Sequence, residues 1–168
     1  MARRWLAALI VTVIACTLPC VAKTHSIPAP LELDRVVDYA HSLEEHPLAK
    51  DNLAKRIWLT EWIINIPAVN VDPCCKVLTS LDEVNNTYSQ QLRMQAVYSQ
   101  VAFQLEHPDV RDREAIQTAG LAGTLKAYRA IQRFDPTAKY PVLDDLLSLE
   151  KKGKLQEYVG HQTHCIFE

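Results

Sequence analysis

The chain has 168 residues, about the size of one domain. Hydrophobic residues make up 48% and charged residues 23%, a globular balance that excludes a disordered tail. A formal net charge of -2 leaves no cationic excess to neutralise phosphates, which argues against nucleic acid as a partner.

Residues 1–22, MARRWLAALIVTVIACTLPCVA, read as an address. Arg3 and Arg4 form a positive start and Leu6 to Ala15 an uncharged run. Pro19 breaks the run, and Cys20-Val21-Ala22 supplies the small residues that precede signal-peptide cleavage. The run is too short for a spanning helix, which needs about 20 apolar residues. The pattern predicts a secreted or periplasmic protein whose mature chain begins at Lys23. Val13-Ile14-Ala15-Cys16 also resembles a lipobox, and a lipid on Cys16 would instead hold the protein at a membrane surface. Removal of Arg3 and Arg4 leaves 16 basic against 20 acidic side chains, a mildly acidic mature chain. Asn85-Asn86-Thr87 is a glycosylation sequon, of consequence only in a eukaryotic host.

Lys23 to Pro30 is a polar, proline-containing lead-in, expected to be flexible, before a single helical domain over 31–168. Four Gly and three Phe, against abundant Leu, Ala, Glu, Gln and Lys, favour helix. Leu33, Val36, Val37, Ala40 and Leu43 fall at helical spacing, and Pro47 stops that helix. Leu53, Ile57, Trp58, Glu61, Trp62 and Ile64 belong to a second helix, closed by Pro67. Trp58 and Trp62, four residues apart, share a face and are expected in the core rather than along a ligand groove. Ile66 to Val71 reads as loop. Asp72-Pro73 resembles an N-cap and first helical residue, and would place Cys74 and Cys75 in the first turn of a short helix ending near Leu81.

Tyr88 to Glu106 is a long helix with Met94, Val97, Val101 and Leu105 as its stripe. Asp112 to Phe134 is another, with Ile116, Gly120, Gly123, Ala127, Ile131 and Phe134 on one face. Gly costs about 1 kcal/mol relative to Ala in a helix, so Gly120 and Gly123 imply a neighbouring helix in close approach. Pro141 to about Lys151 and Lys154 to about His161 are two final helices split by Gly153. The absence of alternating, β-branched hairpin patterns leaves an all-α antiparallel bundle or irregular array of six or seven helices. Glu45-His46-Pro47 and Glu106-His107-Pro108 echo each other, with Phe134-Asp135-Pro136 a looser third copy. The simplest account is recurring corner chemistry, in which a polar residue and a proline end one helix before the next begins.

The cysteines carry the most chemistry. With Cys16 and Cys20 lost in the signal, Cys74, Cys75 and Cys165 remain. Adjacent Cα atoms are about 3.8 Å apart, whereas a disulfide needs about 4.4–6.8 Å. A bridge from Cys75 or Cys74 to Cys165 is therefore expected, with Cys75 preferred because Cys75, Leu78 and Leu81 mark an inward face. His161 and His164 sit beside Cys165, so Cys74, Cys75, His161, His164 and Cys165 are an alternative metal-binding set that is not favoured over the bridge, since no C-x-x-C pair supports it.

There is no Gly-rich phosphate loop, G-x-S-x-G elbow, C-x-x-C redox pair or Glu-x-x-His di-iron motif. His41 and His46 are five apart and point to different sides of a helix, unlike the zinc-protease pair. Glu44-Glu45 and Asp144-Asp145 are expected on solvated faces. The sequence thus suggests an exported, non-catalytic binding or interaction module without a cofactor, directed at another protein or a cell-envelope component. A membrane enters only through a lipid on Cys16. The alternative is a thiol- or metal-handling protein using the cysteine and histidine set.

Overall fold

The computed structural model describes residues 29–66, 69, 71, 76–81 and 87–162. Among them are seven helices: α1 (Pro30–Glu45), α2 (Asn52–Asn65), α3 (Lys76–Ser80), α4 (Ser89–Glu106), α5 (Arg113–Phe134), α6 (Pro141–Lys151) and α7 (Leu155–His161). The described residues contain no strand, and no helix among them is long and apolar enough to cross a membrane. The fold is the all-α array that the periodicity implies. Pro30, assigned to the lead-in, is instead the first residue of α1, where its fixed φ suits the first turn and its missing N–H loses nothing.

Three corners are built the same way. His46, His107 and Asp135 cap α1, α4 and α5 with φ of -129, -127 and -125°. In each, the cap N–H closes on the carbonyl four residues back, and the cap carbonyl accepts from the N–H three residues on, at 3.1, 3.0 and 3.1 Å. The following proline has no N–H and clashes with a continued helix, so the chain turns there. The echo in the sequence is local chemistry that yields one geometry three times. The α6–α7 join differs: Gly153 takes φ +67°, Gly153 N–H bonds Glu150 O, and Lys154 N–H bonds Leu149 O. That arrangement needs the left-handed conformation only glycine adopts freely.

The long pair α4–α5 is the axis of the fold. A Cβ on Gly120 would stand 2.8 Å from Ala96 O, and one on Gly123 would stand 2.5 Å from Ser99 Cβ. The two glycines therefore let the α4 and α5 backbones approach, as their positions suggested. On one side of the pair, α3, α6 and α7 bury Leu81, Leu125, Tyr128, Ile131, Tyr140 and Leu143. On the other, α1 and α2 bury Val36, Ala40, Leu43, Leu59, Trp62 and Tyr98.

Helix α4 is enclosed almost all round. Leu92, Gln95, Ala96, Tyr98, Ser99, Val101 and Ala102 are buried, while Met94, Val97 and Leu105 of the expected stripe are only half-buried. Phe134 is also corrected: it is the last residue of α5 and is 77% exposed, whereas Ile131 one turn earlier is buried. Trp62 is in the core, whereas Trp58 is half-buried at the α1–α2 edge, against the Tyr39 ring at 5.4 Å and the Arg35 guanidinium at 5.3 Å.

Candidate functional site

Two features stand out: a buried polar seam joining α1, α4 and α5, and a groove between α2 and α4. The seam centres on Glu44, expected on a solvated face but 3% exposed. The correction has a simple cause. Glu44 lies one turn after Ala40 on the inward face of α1, and Gly123 leaves room for it; a Cβ there would stand 2.5 Å from its Oε1. Glu45 is exposed as expected. Of the other acidic pair, Asp145 is exposed but Asp144 is half-buried, accepting from Tyr128 Oη at 2.9 Å. Burial and that carboxylate push the Tyr128 phenol up to about 12.

Each Glu44 oxygen is satisfied. Oε1 accepts from Ser99 Oγ at 2.7 Å. Oε2 faces Lys126 Nζ and His41 Nδ1, both at 3.1 Å. His41 Nε2 faces Glu106 Oε1 at 3.0 Å, so the imidazolium, with two N–H donors, is the form that satisfies both carboxylates. Burial alone would lower the His41 pKa, but Glu44 and Glu106 outweigh it and the net shift is upward. Gln95 Nε2 completes the seam, donating to Ala40 O at 3.2 Å and Ser99 Oγ at 3.1 Å.

This arrangement is a tie and not a catalytic relay. The carboxylate stands between hydroxyl and imidazole, so His41 does not reach Ser99's proton, and Ser99 is 4% exposed. Glu44 and Glu106 meet opposite edges of the His41 ring and do not converge on one ion. Among the described residues no group of three or more His, Cys, Asp or Glu is placed to hold a metal.

The groove has a volume of about 470 Å³. Leu53, Ile57 and Met94 form its apolar wall, and Arg56, Glu61 and Gln91 its polar rim. Leu53 is 69% exposed, Ile57 51% and the neighbouring Ile64 76%. Gln91 Oε1 is buried without a hydrogen-bond partner. The groove floor is fixed by Tyr98, whose Oη pairs with Thr60 Oγ1 at 2.9 Å and reaches Arg56 O at 3.3 Å. A second concavity of about 540 Å³ lies at the α1–α2 corner, with Pro47, Leu48, Arg133 and Phe134 in its wall. Its neighbouring cations are largely spoken for, Lys126 by Glu44 and Arg129 by Glu150.

Of the residues singled out in the sequence, His161 is exposed at the end of α7. Cys16, Cys74, Cys75, His164 and Cys165, with the signal segment and the sequon, lie outside the described residues. The seam was missed in the sequence, although Glu44 continues the Val36–Ala40 spacing and so sits on the buried face. The chain matches no protein-family model, no curated protein and no solved structure.

Proposed function

We propose that the protein is a non-catalytic interaction module of an exported chain, and that the outward face of α2 with the α2–α4 groove is its docking surface. One observation carries the reading: three large apolar side chains, Leu53, Ile57 and Ile64, are left more than half exposed on one helix face. A partner that covered them would remove that apolar area from water at about 25 cal/mol per Å². The unpartnered Gln91 acceptor beside them supports the same reading, since buried acceptors ordinarily find a donor. The partner class is another protein or a cell-envelope component, reached after signal cleavage at Ala22 or by an anchor on Cys16. The Cys75–Cys165 bridge would brace the mature chain in that compartment.

The test is site-specific photo-crosslinking in the producing cell. A photoreactive side chain at Ile57 should give a discrete adduct that the same group at the exposed Asp145 does not. No adduct at position 57 would overturn the docking reading. Intact-mass measurement of the exported chain, with a free-thiol count and metal analysis, tests the remainder. A chain starting at Lys23 with one free thiol and no metal is expected. Bound zinc or copper with three reduced thiols would replace it with the metal-handling alternative.

A further inference from the structure

Resting on that reading, we infer that the partner on the α2 face is a second copy of this chain, with the two α2 helices side by side and parallel. The register of the exposed Leu53, Ile57 and Ile64, with the half-buried Thr60 between them, points there. Leu53, Ile57, Thr60 and Ile64 are spaced four, three and four along α2, the alternation of a two-stranded coil seam. In that frame Ile57 and Ile64 occupy the first core position and Leu53 and Thr60 the second; Ile at the first with Leu at the second favours two strands. The seam is short, and the walls of the groove widen it.

The charges select the orientation. Arg56 and Glu61 flank the seam on opposite sides and both line the groove. In a parallel pair, the residue before one core position faces the residue after the next on the partner helix. That sets Arg56 of each copy against Glu61 of the other, and two-fold symmetry makes the contact twice. An antiparallel pair would bring Arg56 toward its own counterpart and Glu61 toward its own, so like charges would meet. The Arg56 guanidinium is already aimed: one amino group is held on Pro47 O at 2.7 Å, and the other donors remain for a carboxylate. Glu61 is exposed on the same helix.

The experiment is sedimentation velocity on the full chain, kept reduced so that no intermolecular disulfide contributes. The wild type should move from monomer to dimer with rising concentration. Ile57→Asp and Glu61→Arg should each weaken the dimer about tenfold or more. Arg56→Glu should do the same. An equimolar mixture of the Glu61→Arg and Arg56→Glu chains should recover the dimer, because both cross-pairs are then opposite in charge. Circular dichroism establishes that each variant keeps its helix. If Arg56→Glu unfolds, Glu61→Gln takes its place and should weaken the dimer less than Glu61→Arg. A wild type that stays monomeric, or an Ile57→Asp chain that dimerises like it, would overturn the inference. So would folded charge variants whose mixture is no stronger than either alone. A crosslinked adduct at position 57 to a different protein, with a monomeric wild type, would sink the self-pairing and leave the docking surface standing.

Discussion

The α1–α4–α5 seam and the outward face of α2 treat their side chains in opposite ways. In the seam a carboxylate is taken out of water, and each of its oxygens is matched to a donor within 3.1 Å. On α2 three aliphatic side chains, Leu53, Ile57 and Ile64, are more than half exposed, beside an acceptor without a donor. The contrast teaches that a charged group is buried here where each of its oxygens has a donor, while apolar area stays exposed on one helix. It also separates stability from interaction: changes in the seam should unfold the protein, while changes on the α2 face should leave the monomer intact.

The largest break is Glu44→Ala. It leaves the buried Ser99 hydroxyl without its acceptor, removes one of the two carboxylates on His41 and opens a void, although Lys126 is half in water and recovers its hydration. A loss of about 2–4 kcal/mol is expected, or roughly 4–16 °C in melting temperature, read by thermal unfolding. Gly123→Ala should come next. Its Cβ would lie 2.5 Å from Ser99 Cβ, so α4 must move; overpacking of about 1–3 kcal/mol is offset in part by about 1 kcal/mol of helix propensity. If Gly123→Ala were more stable than the wild type, by the full helix-propensity gain, the close approach would be wrong.

Tyr98→Phe removes the Thr60 contact that fixes the groove floor and should cost about 1 kcal/mol in chemical denaturation. His41→Gln should have the smallest effect and a distinctive pH dependence. The folded pKa of His41 is raised, so its contribution is full below about 6.5, the unfolded value, and is lost as pH rises through the folded value. Side chains that are 39% exposed on His41 and on Glu106 keep it under about 1 kcal/mol. The wild type should therefore lose stability relative to His41→Gln as pH rises above about 6.5; parallel curves would show that His41 is not held by the carboxylates.

Much of the fold was legible because prolines and caps are local. Pro47, Pro108 and Pro136 stop helices for reasons contained in a few residues, and Asp112 caps α5 through its own side chain, accepting from Glu114 N–H at 3.1 Å. Gly120 and Gly123 announced a close helix neighbour, though not which one. The seam was not legible, because a charged pair reads as solvated unless its partners are known. Ser99 is 55 residues and Lys126 82 residues from Glu44. The exposed face of α2 was hidden for the converse reason. Leu53, Ile57 and Ile64 read as core by type, and only the placement of α1 and α4 on the other sides of α2 leaves them uncovered.

The central claim, that the α2 face is built to be covered by its own copy, is tested most directly by the concentration dependence of unfolding. A species that binds only the folded chain stabilises it by mass action. The reduced wild type should melt about 3–5 °C higher at a hundredfold greater concentration, and Ile57→Asp should melt at one temperature throughout. A wild-type melting temperature that does not move with concentration would contradict the account.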